Sequence, residues 1–420
     1  LCPTTQYFLR LLVRPPPREY PRPNPPKGAM GDLLDQVRSG TLAHQRLEAH
    51  TTAREAVEVR RQLFGVAALP VDGLDYDGIV GRNCENVIGH VPVPVGIAGP
   101  VRVDGVDGHV PLATTEGALV ASVCRGARAA GSITTKVLQR HMTRAPVLRC
   151  ADLHEAAALH DYCDSHFEEL RDAFAFTTQH GALTRVRVAL AGRHAYVRCS
   201  AHTGDAMGMN MVGKGVDAIV RHLLARFPHA ELLSLSGNYC VDKKASALNW
   251  IEGRGAHVVA EAVVPADVVN GVLKTSAKRL VEVHTYKNLV GSAMACCIGG
   301  CNAHAANVVA ALFIACGQDP AHVVDSSACL TTVEDDDGAA RISVTMPSVE
   351  VGTVGGGTHL AAQQACLDIL GVAGAGDGER AARLAQIVAA TVLAGELSLL
   401  AALCSNDLIT SHMKLNRAKT

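Results

Sequence analysis

Aromatic residues are scarce in this 420-residue chain: seven Phe, seven Tyr and a single Trp make up 4% of it. So few rings leave little from which to build a stacking platform for single-stranded nucleic acid. Net charge is equally lacking. The 39 Lys and Arg nearly cancel the 40 Asp and Glu, for −1 at neutral pH, so no global positive field exists to hold phosphate backbones, and no nucleic-acid partner is expected. No C-x-x-C pair occurs among the 14 cysteines, which removes the common zinc and redox spacings. Cys296, Cys297 and Cys301 lie in an Ala/Gly-rich run and are expected to be small buried thiols in a reducing compartment. H-E-x-x-H is absent, so no metal site is expected. G-x-G-x-x-G is missing too, which argues against a Rossmann dinucleotide site.

Apolar runs of membrane length are interrupted. Val290 to Cys316 contains Asn302, His304 and Asn307, and Ala385 to Leu403 contains Gln386 and Glu396. A bilayer penalises each such group by kcal/mol amounts, so buried helices fit both runs better, and this segment is expected to make no membrane contact. The chain begins at Leu1 rather than Met, and any membrane anchor is expected upstream of it.

What is present is a chain that is 48% hydrophobic, long enough for two or three domains at roughly 100–200 residues each. Residues 1–27 hold 8 of the 18 prolines, with Arg10, Arg14, Arg18, Arg22 and Lys27 set against Glu19. That composition reads as a stiff, basic linker. Residues 31–64 read as helical, Val87 to Val110 as β-rich, and Thr114 through Ala129 as helical again. Residues 153–174 read as one amphipathic helix. Thr184 to Leu190 alternates strictly, and Gly192 separates it from His194 to Cys199, a β-hairpin signal. A helix from about Asn210 to Phe227 follows, and another is expected over 379–403.

Several short segments could carry chemistry, each with a plain structural alternative. Gly208-x4-Gly213-Lys214 has phosphate-loop spacing, but Gly215 stands where a Ser or Thr would hold magnesium, so a Gly-rich turn opening a helix fits better. Val354-Gly355-Gly356-Gly357-Thr358 precedes a helical segment, Leu360 to Leu370, and reads as a flexible turn or a close backbone approach to a ligand. Asp242-Lys243-Lys244 is a solvated charge run or a paired lysine. Asp319 is a turn residue. Glu116, one turn into a helix, is a capping carboxylate, and His412 is a surface histidine.

Together these segments resemble the catalytic portion of the 3-hydroxy-3-methylglutaryl-coenzyme A (HMG-CoA) reductases of eukaryotic type, class I. The matching pieces include Glu85-Asn-Val-Ile-Gly, Thr114-Thr-Glu-Gly, Met142-Thr-Arg, Gly204-Asp-Ala-Met-Gly-Met-Asn and Ser236-Gly-Asn-Tyr-Cys-Val-Asp-Lys-Lys. They continue with Asn249-Trp-Ile-Glu-Gly-Arg-Gly, Lys287-Asn-Leu-Val-Gly-Ser-Ala-Met-Ala, His304-Ala-Ala-Asn, Gly317-Gln-Asp, Gly352-Thr-Val-Gly-Gly-Gly-Thr and Ser411-His-Met, in order over about residues 31–417.

The resemblance implies an α+β fold. A large mixed helical and β substrate domain would span 85–145 and 246–420, with a small ferredoxin-like α+β dinucleotide-binding domain inserted at 146–234. A small helical N-terminal domain would cover 31–84, a Pro-rich linker 1–30, and a catalytic loop 235–245. The implied reaction is reduction of HMG-CoA to mevalonate and CoA by two NADPH, on the route to isoprenoids and sterols. The implied catalytic residues are Glu116, Lys243, Asp319 and His412. Arg144, Ser236, Asp242, Lys244, Lys287 and Asn307 would grip the hydroxymethylglutaryl part, and Ser122, Arg125 and Lys274 the CoA. Asp205, Met207, Gly208, Met209 and Asn210, with Val354, Gly355, Gly356, Gly357 and Thr358, would form the dinucleotide site. Also implied are a homodimer sharing its active sites, assembled into a tetramer, and a cytosolic catalytic part tethered to the endoplasmic reticulum through a segment before Leu1.

Three positions depart from the family pattern. Thr178-Gln179-His180 replaces a Ser-Arg-Phe whose arginine helps hold the NADPH 2′-phosphate, which motivates an NADH-using alternative, with His180 or Arg185 as possible substitutes for the lost cation. His44 stands in place of an adenine-stacking tyrosine. Asn416-Arg417-Ala418 lacks the serine phosphorylated in animal relatives. A non-catalytic CoA- or dinucleotide-binding regulator on the same fold is the remaining alternative.

Overall fold

A computed structural model describes residues 30–405, which form two compact units, one ending at Pro92 and the other starting at Val93. His412 and Asn416-Arg417-Ala418 lie outside the described residues.

In the first unit the expected helical stretch is broken. It comprises a helix Met30–Arg38, a 3-10 turn His44–Ala49 and a helix Ala53–Phe64. Thr52 starts the last of these with a capping box closed by Glu55, satisfying donors that a helix start leaves free. Leu33, Leu34, Leu47, Ala56 and Val59 form its core.

The second unit is built on ten strands. They are β1 Val95–Val103, β2 Val106–Ala113, β3 Ser132–Arg144, β4 Val147–Arg149, β5 Ala182–Ala191, β6 His194–His202, β7 Glu231–Ser234, β8 Gly255–Val264, β9 Leu330–Asp336 and β10 Ala339–Val349. Their order is β7-β4-β6-β3-β8-β10-β9, with β1 beside β2 and β3, and β5 beside β6. The β-rich stretch therefore begins at Val95, later than its composition suggested. The β5–β6 hairpin forms as expected, paired from Ala182 with His202 to Ala191 with His194.

Strand β3 belongs to two cores. Its Thr134 to His141 part pairs antiparallel with β8, and its Met142 to Arg144 end pairs with β6. Around β6 a smaller core gathers Leu148, Leu159, Phe174, Val197, Val216 and Leu223. The 153–174 stretch there is two helices, Leu153–Ser165 and Phe167–Ala175. His166, at φ −120° and ψ 38°, leaves the helical region and breaks the run.

The larger core surrounds the helix Glu379–Cys404. By length and composition it could cross a bilayer, yet 78% of its most apolar window is buried in the protein. Glu396 within it is fully buried and accepts the N–H groups of Ala303 and His304, both at 2.7 Å, and the Thr331 hydroxyl at 2.8 Å. It thus caps the start of the helix Ala305–Ala315. A buried carboxylate supplied with three donors is tolerable where an unpaired one is not.

The helix Leu119–Ala130 crosses Glu379–Cys404 so closely that a β-carbon at Gly126 would overlap the Ala394 carbonyl. Gly126→Ala is therefore expected to destabilise the fold by about 1–3 kcal/mol through overpacking, although alanine is the better helix former. A thermal-unfolding midpoint at or above wild type would contradict this account of the crossing.

The cysteine expectation needs correction. Cys296 and Cys297 are exposed and Cys301 is half-buried, because the Ala/Gly-rich run is irregular chain rather than core helix. Cys150, Cys163, Cys199, Cys240, Cys316, Cys329 and Cys366 are the buried ones, and all are free thiols.

Candidate active site

Strand β7 ends at Ser234, and the helix Ala247–Glu252 begins after Ser246. Between them, Asn238 (φ 63°), Val241 (φ 61°) and Lys243 (φ 57°) all adopt the left-handed conformation, which costs a side-chain-bearing residue on the order of 1 kcal/mol or more. Surrounding contacts hold the segment in place. Gly237 N–H donates to the Ala145 carbonyl at 2.7 Å, Thr143 Oγ1 donates to the Cys240 carbonyl at 2.8 Å, and Lys243 N–H donates to Asp325 Oδ2 at 3.1 Å. Lys243 Nζ then lies 2.8 Å from Asp319 Oδ2. The Asp319 bond raises the lysine pKa above its ordinary value. Burial works to raise that of Asp319, but its bonds to Lys243 and the Ala321 N–H bring it below normal. The lysine stays charged and oriented.

Behind this pair lies a cluster that the sequence did not reveal. Arg254, fully buried, contacts Asp242 Oδ1 at 3.0 Å, Asp325 Oδ2 at 3.1 Å and Glu350, and donates to Thr143 Oγ1 at 3.2 Å. His322, 1% exposed, places Nδ1 2.6 Å from Glu350 and 3.4 Å from Asp325, and Nε2 3.8 Å from both Asp242 and Asp319. Burial lowers the His322 pKa, but the adjacent carboxylates of Asp325 and Glu350 outweigh it and carry it up to about 9. Burial drives Glu350 up to about 7 against the pull of Arg254 and His322. The sequence signals were His322 and Asp325 at i, i+3 after Asp319, and the place of Arg254 in the motif Asn249-Trp-Ile-Glu-Gly-Arg-Gly. Arg254 and Glu350 are strand-end residues with no periodic mark.

Glu116 and Asn307 form a second pair. Glu116 sits in the turn ahead of the helix Leu119–Ala130 and not one turn into it, because Ala118, at φ 73°, delays the helix start. Its N–H donates to Thr114 Oγ1 at 2.9 Å, and Asn307 Nδ2 donates to its carboxylate at 3.1 Å. Both line a cleft of about 420 Å³ with Thr114, Thr115, Ala306 and Ile314. No hydrogen bond or ion pair among the described residues joins this pair to Lys243 and Asp319.

The remaining expected substrate residues divide. Arg144 lies 3.9 Å from Asp242, Lys244 Nζ donates to the Asp242 carbonyl at 3.0 Å, and Ser236 Oγ is 3.6 Å from Cys240 Sγ. These belong to the lysine segment. Ser122 and Arg125 bond instead to the Ser398 hydroxyl, at 2.9 and 3.0 Å. Lys274, at φ 58°, and Lys287, in a π-helical turn, are exposed.

The two Gly-rich segments meet backbone to backbone. Ala206 bridges Val354, and Thr353 N–H donates to the Asp205 carbonyl at 2.8 Å. A β-carbon on Gly352 would strike the Met207 amide, and one on Gly317 the Gly357 carbonyl. Met207, Gly208, Met209 and Asn210 thus lie beside Val354 to Thr358. Met209 also reaches the buried cluster, with Sδ 3.0 Å from Arg254 Nη2. Gly208 opens the helix Met209–Arg226 in the left-handed conformation, as a Gly-rich turn should. The Asp205 carboxylate accepts the N–H groups of Gly376, Gly378 and Ala381 at 2.6–2.8 Å. It caps the helix Glu379–Cys404. Arg185, one substitute for the missing phosphate-binding arginine, is paired with Glu252.

Comparison with known proteins identifies the family. The family model for hydroxymethylglutaryl-coenzyme A reductase matches residues 49–417. The chain is 51% identical over 404 residues to 3-hydroxy-3-methylglutaryl-coenzyme A reductase 1 of Oryza sativa subsp. indica, covering 92% of this chain and 75% of the rice protein. It is 48% identical to the Blattella germanica reductase, over 92% of this chain and 47% of that one. A solved Streptococcus pneumoniae reductase superposes with a TM-score of 0.63 at 19% identity, covering 90% of this chain and 85% of the other; that likeness bears on the fold. With half its residues shared along nearly its whole length, the chain belongs to the hydroxymethylglutaryl-coenzyme A reductase family.

Proposed function

We propose that this protein reduces HMG-CoA to mevalonate and free CoA, using two NADPH. The observation that carries the reading is the charged Lys243, held 2.8 Å from Asp319 in a left-handed loop beside the paired Gly-rich segments. The Gly-rich segments suit a dinucleotide. Gly355 and Gly356 have positive φ and open space where a β-carbon would stand, so a backbone there can approach a phosphate closely. A Streptococcus pneumoniae class II reductase of the same fold has been solved bound to NADPH. Bound NADPH supplies one hydride to the thioester carbonyl and, from a second molecule, another to the resulting aldehyde.

The residues of the chain do the rest. Lys243 stabilises the oxyanion that forms on the thioester oxygen, and Asp319 keeps the ammonium in place. Collapse of that adduct breaks the carbon–sulfur bond and leaves CoA thiolate, which His412 protonates. Lys243 again faces the alkoxide of the aldehyde step, and Glu116 delivers its proton. Glu116 is exposed in the single chain, and substrate or a second subunit would cover it in the assembled site. Arg144 and its neighbours bind the substrate carboxylate.

Exposed apolar side chains at Ile251, Tyr286, Met294 and Ile298 support a homodimer contributing to shared sites, and a tetramer built from it. Tethering to the endoplasmic reticulum would run through a segment upstream of Leu1. Cofactor choice is expected to be relaxed, because Gln179 replaces the phosphate-binding arginine and Arg185 is paired with Glu252, which leaves only His180 of the two substitutes unpaired with a carboxylate among the described residues. A charge-assisted hydrogen bond contributes about 1.5–3 kcal/mol, so its loss lowers the NADPH preference in kcat/KM by about tenfold or more.

Mevalonate formation from HMG-CoA, followed with NADPH and with NADH, tests the whole reading. Turnover with NADPH is expected. Absence of turnover with either nucleotide overturns it in favour of a non-catalytic binder, and equal rates identify the NADH-tolerant enzyme.

A further inference from the structure

We propose that His322 is a positioning residue for Lys243: its imidazolium is a second buried cation, beside Arg254, that balances the carboxylates around the lysine and keeps the ammonium available to an oxyanion. The proposal rests on the reading of Lys243 given above and adds to it a residue from outside the expected site.

Geometry carries the argument. The ring is 1% exposed and sits on the 3-10 turn Pro320–His322. The charged groups facing it come from four parts of the chain. Glu350 lies at the end of β10, Asp325 on the turn Val323–Ser326, Asp242 on the loop after β7, and Asp319 ahead of its own turn. The groups paired with its two nitrogens at 3.8 Å or less are carboxylates, and Arg254 and Lys243 are bound to those same carboxylates. A neutral imidazole would aim one lone pair at a carboxylate oxygen, whereas the imidazolium presents N–H groups to both sides.

Charge balance points the same way. Asp242, Asp319, Asp325 and Glu350 carry four negative charges. Arg144, Lys243 and Arg254 carry three positive ones, in contacts of 3.9 Å or less. Above the Glu350 value of about 7, a protonated His322 supplies the fourth positive charge among the directly paired groups, with Lys244 bound nearby to the Asp242 carbonyl. Without that proton, Asp319 draws more strongly on Lys243, and the potential at Nζ becomes less favourable to a developing oxyanion. Asp325 is affected as well, and it is Asp325 that accepts the Lys243 N–H.

The titrations set the pH window. His322 is raised to about 9 and Glu350 to about 7. The ion pair is therefore complete between these values, and above about 9 the histidine proton is lost. Reduction of mevaldehyde reads this without the thiolate step.

The test is kcat for NADPH-dependent mevaldehyde reduction by the full chain between pH 6 and 10. Wild type is expected to fall by about tenfold through pH 9. His322→Gln should sit near that lower plateau throughout, with no limb near 9 and KM within about twofold. Glu350→Gln, which weakens the hold on the histidine proton, should move the limb to lower pH. If His322→Gln does not fold, the direction of the Glu350→Gln shift decides. A wild-type profile without the limb, or a limb unmoved in both variants, overturns the proposal. Retained turnover in Lys243→Ala overturns the lysine reading itself, while an inactive Lys243→Ala with an unmoved limb overturns the role of His322 alone.

Discussion

Lys243→Ala is expected to abolish reduction of both HMG-CoA and mevaldehyde, with kcat lowered by about a thousandfold or more, the upper range for losing one oxyanion donor. The two half-reactions fail together because each builds negative charge on an oxygen at the same carbon, and the same ammonium faces it. KM should change far less, since Arg144 and Lys244 remain to hold the substrate carboxylate. The variant should fold: Lys243 is bonded through its main chain to Asp325 at 3.1 Å, a contact that alanine keeps. The left-handed φ of 57° is strained for alanine as it is for lysine. Steady-state rates on both substrates check the prediction. Full activity on either would show that the oxyanion role is misassigned.

Arg254→Met is expected to destabilise the protein by about 3–5 kcal/mol, the cost of removing one partner from a buried ion cluster. The guanidinium is fully buried and serves Asp242, Asp325 and Glu350 at once, so its loss strands two fully buried carboxylates, those of Asp325 and Glu350. The deficit should depend on pH. Burial raises Glu350 to about 7 while Arg254 pulls it down, so without the arginine Glu350 binds its proton more tightly. Folding then favours the protonated form, and the folded variant loses stability as pH rises through the new, higher value. Thermal-unfolding midpoints at pH 6 and pH 8 should therefore show the larger deficit at pH 8. An equal deficit at both would mean that His322 alone compensates the carboxylate.

Much of the site could be named before any fold was known. Lys243, Asp319, Glu116 and Asn307 come from segments whose residue order resembles the reductases, and two of the pairs form as direct contacts. Glu116 lies ahead of its helix rather than within it because Ala118 takes a left-handed conformation that alanine composition does not announce. The exposure of Cys296 and Cys297 has a related cause. Small apolar residues pack into cores and also fill irregular loops, and composition does not separate the two.

The sequence by itself determined the hairpin turning at Gly192 and the Gly-rich turn at Gly208, because each rests on dihedral preferences and alternation among residues close in the chain. Tertiary structure decided which charges meet. Arg254 finds Glu350 across 96 residues and Lys243 finds Asp325 across 82, and no local pattern encodes such partners. It also brought Asp205 to the start of the helix Glu379–Cys404, and set His322 among four carboxylates. Burial and field at a side chain are properties of the neighbours that the fold delivers, and those neighbours exist only once the strands have paired.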